Sequence, residues 1–142
     1  MSKSVGLYIK FLEDSYNPIE VINSLFLQGW AFNDNGFKNY LPLNDGDDFD
    51  WTFDNISDEE LSFILREKYL RGERLGVVMT WGETNIGGEF IFESNGLVIL
   101  SLSINRKTMV NDITDINWYI EKIIPNVIKF NNLVYFKFEE IF

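Results

Sequence analysis

Three runs of β-branched and aromatic residues, separated by glycine-containing turns, constrain the fold of this chain more than any other feature. The runs are RLGVVMTWGE, GGEFIFES and LVILSLSINR, within residues 74–106. Asn95-Gly96 joins the second run to the third, and this dipeptide is the strongest short signal for a hairpin turn. In the third run Val98, Leu100 and Leu102 fall on one face and two serines on the other. The pattern predicts an antiparallel meander with one packed face.

Further strands and two helices are predicted around this meander. SVGLYIKFLE near the start and LVYFKFEEIF at the end alternate with a period of two, which is typical of strands. Asn17 and Pro18 are suited to begin a helix that Gly29 stops. Ser57, with Glu60 three residues later, forms the capping box of a second helix. The predicted buried residues are Ile22, Leu25, Phe26 and Leu27 in the first helix, and Leu61, Ile64, Leu65 and Tyr69 in the second.

The remaining segments complete a mixed fold. Isoleucines at helical spacing predict a third helix in NDITDINWYIEKIIP, which Pro125 ends or kinks. A short extended piece near residues 37–43 contains Pro42, which argues that any strand there lies at a sheet edge. The element order predicts an α+β fold, with an antiparallel sheet of about five strands and two to three helices packed on it. A length of 142 residues without internal repeats predicts a single domain, residues 1–142.

The amino-acid inventory excludes several kinds of chemistry. The chain has no cysteine and no histidine, which removes disulfides, thiolate metal sites, cysteine nucleophiles and Ser-His-Asp catalysis. The N-terminus lacks the long apolar run of a signal peptide, and no stretch approaches the 18 apolar residues of a membrane helix. We therefore expect a cytoplasmic protein that needs no cofactor and has no membrane partner.

The acidic residues are concentrated in the first part of the chain. The segment DGDDFDWTFDNISDEE, residues 45–60 and hereafter the acidic segment, holds eight carboxylates and three aromatic residues. Residues 1–60 carry twelve acidic residues against three lysines, a net charge of −9 out of the total of −10. This asymmetry favours a basic partner over nucleic acid or an anionic membrane.

Two interpretations of the acidic segment stay open. In the structural one, Phe49, Trp51 and Phe53 alternate into the core, the aspartates form the solvated side, and the last three acids begin a helix. In the functional one, the acids steer a basic partner and Trp51 anchors it. The partner-binding candidates are then Asp45, Asp47, Asp48, Asp50, Trp51, Phe53, Asp54, Asp58, Glu59 and Glu60.

Other candidate sites carry weaker signals. Trp81 and Glu83, in TWGET at a strand end, are secondary candidates, although a packed tryptophan beside a solvated turn residue is the commoner arrangement. The acidic segment does not match a calcium-binding loop, because Gly46 stands second and Asp50 occupies the sixth position, where glycine belongs. We therefore predict no metal site. The absence of a phosphate-binding loop and the sequence pI near 4.4 argue against direct nucleic-acid binding.

The chain resembles the small immunity proteins of bacterial toxin–immunity systems, including those of contact-dependent inhibition. The resemblance covers its overall character, and its nearest features are the acidic-aromatic run over residues 45–54 and the hairpin TWGETNIGGEFIF. It implies a non-enzymatic protein that binds and blocks one cognate toxin, commonly a nuclease with a basic active site. Two alternatives remain open. One is a DNA-mimic inhibitor of a nucleic-acid enzyme, and the other is a small ligand-binding or acid–base enzyme domain.

Overall fold

An eight-stranded antiparallel sheet and three helices make up the computed structural model, which describes residues 4–130 and 132–142 without the side chain of Phe130. The strands run in the order β4-β3-β5-β6-β7-β1-β8, and β2 also pairs with β5. The strands are β1 Ser4–Phe11, β2 Trp30–Phe32, β3 Lys38–Tyr40, β4 Thr52–Asp54, β5 Leu75–Trp81, β6 Ile86–Phe92, β7 Leu97–Ile104 and β8 Leu133–Ile141. The helices are α1 Pro18–Gln28, α2 Asp58–Leu70 and α3 Ile116–Phe130.

The fold class is as predicted, but the number of strands is not. The α+β arrangement, the antiparallel sheet and the three helices agree with the sequence, whereas the sheet has eight strands and not about five. β2, β3 and β4 have three residues each, which is too short to show an alternating pattern. The expected edge position near Pro42 is also wrong. β3 lies between β4 and β5 and ends at Tyr40, before the proline.

One face of the sheet forms the main hydrophobic core. The strand registers place Leu7 of β1 opposite Leu100 of β7 and Phe138 of β8, so their side chains share that face. All three helices contribute fully buried residues to the same cluster: Val21, Ile22 and Leu25 from α1, Leu61 and Leu65 from α2, and Tyr119, Ile123 and Val127 from α3. The helices are therefore held on the sheet by apolar burial on one side.

The predicted helix starts are confirmed. Asn17 Oδ1 accepts a hydrogen bond from the Ile19 N–H at 2.9 Å, and Ser57 Oγ accepts one from the Glu60 N–H at 3.1 Å. Gly29 ends α1 with φ of 109°, a left-handed conformation that glycine adopts at low cost. α3 continues through Pro125 to Phe130, so the proline does not end that helix.

The predicted buried faces need two corrections. In α1, Phe26 and Leu27 are 38% and 73% exposed. In α2, Tyr69 is 37% exposed, and Lys68 occupies the buried position with 1% exposure. Lys68 continues the helical spacing of Leu61 and Leu65, so geometry turns its side chain inward even though it carries a charge.

The opposite side of the sheet, hereafter the open face, is partly covered by the loop that contains the acidic segment. Leu41 is fully buried there, and a Cβ added to Gly76 would lie 2.6 Å from its Cδ1 and 3.2 Å from Trp51 Cη2. Gly76 therefore leaves the space into which these two side chains pack. Across the described residues, no helix is long and apolar enough to span a membrane.

Candidate partner-binding surface

Asp45 is a buried organising residue of the acidic segment. Its side chain is 5% exposed, and its two carboxylate oxygens accept hydrogen bonds from the Asp50 N–H at 2.8 Å and the Phe49 N–H at 3.1 Å. The Asp48 N–H also donates to the Asp45 carbonyl. A buried carboxylate needs such donors. Asp45 therefore shapes the loop from within, whereas the sequence placed it among the partner-binding residues.

A buried lysine fastens the loop before the acidic segment to α2. Lys68 Nζ donates to the Pro42 carbonyl at 2.6 Å and lies 3.4 Å from Glu73 Oε1. The same Glu73 oxygen accepts from the Asn44 N–H at 2.8 Å. Burial lowers the pKa of Lys68, and the nearby Glu73 carboxylate opposes that shift. The Lys68 ammonium group on α2 thus holds this loop through its hydrogen bond to Pro42 and its ion pair with Glu73.

Arg74 fastens the first turn of the acidic segment to the sheet. Its Nη1 lies 3.1 Å from Asp47 Oδ1, and its Nε donates to Glu93 Oε1 at 2.7 Å, a bond that raises the pKa of Arg74. The guanidinium also sits 4.4 Å from the centre of the Phe49 ring. The Asp47 side chain remains 93% exposed. It can face a partner, but one neighbouring cation already offsets its charge.

The three aromatic residues do not alternate into the core as the structural interpretation expected. Phe49 has φ of 51°, which interrupts the extended conformation and leaves its ring 41% exposed. Trp51 is half-buried and packs over Gly76 on the open face. Phe53 is 54% exposed and lies against Phe37, with ring centres 4.8 Å apart. The Phe37–Phe53 pair is therefore one aromatic group available to a partner, and Phe49, which is as exposed as Phe37, is another.

Besides Asp47, six candidate carboxylates are exposed, three of them in the first turn of α2. They are Asp48, Asp50, Asp54, Asp58, Glu59 and Glu60. Asp58 forms an ion pair of 3.3 Å with Lys38. Asp54 Oδ2 lies 3.5 Å from the Tyr40 hydroxyl, whose pKa is raised by burial and by the Asp54 charge. Both contacts attach the acidic segment to β3 while leaving its carboxylates in solvent.

Two further carboxylates, which sequence reasoning missed, extend the acidic surface across the open face. Glu89 of β6 is half-buried, and its pKa is raised first by burial and then by the negative charge of Asp34. Asn39 Nδ2 donates to Asp34 Oδ2 at 3.0 Å. Glu89 belongs to an alternating strand, which predicts a solvated residue. Its proximity to Asp34 depends on β2 and β3, whose short strands show no pattern.

The secondary candidates have separate roles. Trp81 Nε1 donates to the Gln28 carbonyl at 2.7 Å, and the Lys122 ammonium lies 4.4 Å from the centre of the Trp81 rings. Trp81 also packs edge-on against Trp118 at 5.8 Å. Glu83 is exposed in the turn between β5 and β6. Trp81 is thus a packing residue, and nothing in these contacts joins it to Glu83 as a site.

A polar cleft of about 300 Å³ opens beside the acidic segment. It is lined by Lys68, Glu73, Arg74 and Glu93, whose charges are paired with one another. An adjoining cleft of about 200 Å³ contains Tyr16, whose hydroxyl is buried without a hydrogen-bond partner. Burial raises the pKa of Tyr16. Among residues 4–130 and 132–142, no group of three acidic side chains is arranged to hold a metal ion.

The contacts describe exposed carboxylates on a loop held by internal hydrogen bonds and ion pairs, together with a partly exposed aromatic pair on β4 and the turn before β3. Such a surface is suited to cationic side chains of a protein partner. Comparison with known protein families, with curated proteins and with solved structures gives no match to this chain. Its function is therefore inferred from its own residues.

Proposed function

We propose that this chain is an immunity-type protein that binds a cognate basic toxin, of the nuclease class, through its acidic segment. The supporting observation is the buried Asp45 carboxylate, which accepts hydrogen bonds from two backbone N–H groups and so fixes the turn that carries the exposed Asp47, Asp48 and Asp50. A preorganised loop loses little conformational entropy on binding.

Charge and apolar contact have separate tasks in this proposal. The exposed carboxylates raise the rate of encounter with a basic surface, an effect that salt weakens. The partly exposed Phe37–Phe53 pair provides apolar area next to Asp54 in the acidic segment. Aromatic groups of this kind contribute much of the affinity at protein interfaces. Inhibition would follow from occlusion of the basic active site, without any catalytic step.

The test requires the natural partner. A tagged chain would be used to capture proteins from its native cells, and a captured basic protein would be purified and its binding measured by titration calorimetry at low and moderate salt. We expect a one-to-one complex whose affinity falls as salt rises. Asp50→Ala and Phe53→Ala should each weaken binding, by about 1–2 kcal/mol. Asp14→Ala, which removes an exposed acid elsewhere, is the matched control.

The aromatic residue chosen for this test is Phe53, whereas the sequence suggested Trp51 as the anchor. Trp51→Ala would also weaken binding, but it removes a side chain that holds the loop over Gly76. Phe53→Ala leaves that packing in place and therefore reports on the interface itself. Equal affinity of the wild-type chain, Asp50→Ala and Phe53→Ala would show that the acidic segment is not the interface.

A DNA-mimic inhibitor is the second candidate, because a row of fixed carboxylates also resembles a phosphate backbone in charge. Such an inhibitor would compete with DNA for a nucleic-acid enzyme. Titration of the purified complex with duplex DNA separates the two candidates. Displacement of the chain by DNA from an enzyme that is not a toxin favours the mimic, whereas neutralised toxicity in cells that carry the captured protein favours immunity.

A further inference from the structure

The last strand, β8, has an outer edge with no described strand beside it. It is nine residues long, and several of its side chains are apolar and exposed: Val134 51%, Tyr135 46%, Phe136 42% and Ile141 55%. Natural proteins normally shorten, charge or cover such an edge, because its backbone groups can pair with another chain. β8 is long and exposes much apolar area, and its exposed charges are limited to Lys137 and Glu139, so its edge is a candidate for strand addition.

The hydrogen-bond pattern identifies which backbone groups face outward. The Phe11 N–H donates to the Gly96 carbonyl, towards β7, whereas the Leu12 N–H donates to Asn132, towards β8. Backbone groups alternate in direction along a strand. Since Lys137 lies opposite Tyr8 in the register, its backbone groups point to β1. Those of its neighbours Phe136 and Phe138 then point to the outer edge.

We propose that β8 pairs with β8 of a second copy of this chain, antiparallel about a two-fold axis at Phe138. This register places Lys137 of one copy opposite Glu139 of the other, twice by symmetry. Both side chains lie on the open face and are 62% and 43% exposed. They occupy a position between hydrogen-bonded pairs, where opposing side chains are closest.

Charge selects this register over its neighbours. An axis at Lys137 would set two lysines against each other, and an axis at Phe136 would give Lys137 and Glu139 no opposite charge across the axis, leaving only the 3.8 Å ion pair that they form within one chain. Glu140 adds no repulsion, because its side chain is 6% exposed and contacts Arg106 at 3.5 Å and Thr114 at 3.0 Å. Residues 61–142 carry a net charge of only −1, from nine basic and ten acidic residues.

Charge reversal tests both the dimer and its register. Sedimentation equilibrium of the wild-type chain should show a reversible monomer–dimer equilibrium. Lys137→Glu and Glu139→Lys should each weaken association about tenfold, which corresponds to about 1.4 kcal/mol. The double variant should restore wild-type association. Arg66→Glu, on α2, makes the same change in net charge as Lys137→Glu and should leave association unchanged.

A substitution that removes a backbone N–H tests the dimer without changing its charge. Phe136→Pro deletes an N–H that points away from β1, so the β1–β8 pairing can persist while strand addition is blocked. We expect a folded monomer whose melting temperature does not depend on protein concentration, in contrast to the wild type. The proposal is overturned by a wild-type chain that stays monomeric at every concentration, by a double variant that fails to recover, or by a folded Phe136→Pro that still dimerises.

Discussion

The two edges of the sheet are built in opposite ways. At one edge, β4 has three residues and is flanked by the carboxylates of Asp50 and Asp54. At the other, β8 has nine residues and exposes apolar side chains. The acidic edge repels a copy of itself and attracts cations. The apolar edge can pair with a copy of itself, because its two opposite charges face each other across a two-fold axis.

Under the two proposals, this difference between the edges corresponds to two kinds of association. A short, charged edge strand is protected from unspecific strand pairing, so recognition there depends on side chains and on the shape of the loop. A long edge offers its backbone, so recognition depends on register. The acidic surface should therefore bind a different protein, and β8 the same one. Their distance within the sheet, with five strands between β4 and β8, allows both to be occupied at once.

The largest expected effect comes from removing the buried lysine that supports the acidic edge. Lys68→Ala deletes a fully buried side chain, leaves the Pro42 carbonyl without its Lys68 donor and removes the cation that pairs with Glu73. We expect the free energy of unfolding to fall by about 3 kcal/mol, measured by urea denaturation. Arg66→Ala, at an exposed position of the same helix, should change it by less than about 0.5 kcal/mol.

This variant also tests the independence of the two edges. Folded Lys68→Ala should show faster amide exchange at Asp50 but unchanged self-association. A loss of self-association in the folded variant would show that the acidic edge and β8 are coupled. The two edges would then not act independently.

A smaller effect is expected at the acidic loop itself. Asp45→Ala removes the acceptor for the Phe49 and Asp50 N–H groups. The free energy of unfolding should fall by about 2 kcal/mol, in the range for buried bonds to a charged acceptor. Asp48→Ala, at an exposed position of the same loop, is the control. Equal stability of the two variants would mean that the loop does not depend on its internal carboxylate.

The smallest effect concerns the acidic residues on the open face. The pKa of Glu89 is raised from its ordinary 4.5 by burial and by Asp34. Between 4.5 and the raised value the folded state holds more protons than the unfolded state, so the free energy of unfolding falls as pH increases through that interval. Glu89→Gln has no carboxyl group to titrate at this position and therefore removes this decrease in the free energy of unfolding.

Thermal unfolding at about pH 4 and about pH 7, on either side of the ordinary carboxyl pKa, checks the sign. The difference in stability between Glu89→Gln and the wild type should therefore shift in favour of the variant at the higher pH. Glu83→Gln removes one charge from an exposed turn and controls for the change in net charge. An opposite dependence on pH would place Glu89 beside a cation and would remove it from the acidic surface.

Much of the fold could be predicted from local patterns. The caps at Asn17 and Ser57 act within a few residues, and both begin helices in the structure. The alternation of β7 depends only on the pleat of its own backbone. The three-residue strands β2, β3 and β4 could not be predicted, because so few residues display no period. The positions of β2 and β3 depend on pairing with distant β5, and that of β4 depends on pairing with β3.

The acidic segment shows where prediction from sequence stops. Its composition and charge are evident from the residues alone, and they favour a basic partner. The tertiary structure decided that Asp45 turns inward, that Phe53 turns outward and that Phe37 joins it. A carboxylate can be buried only where donors converge on it, and an aromatic ring stays exposed only where no surface covers it. Both conditions depend on how the chain folds back on itself. The sequence by itself therefore determined the main elements and the charge, and the tertiary structure decided which side chains are exposed and which are buried.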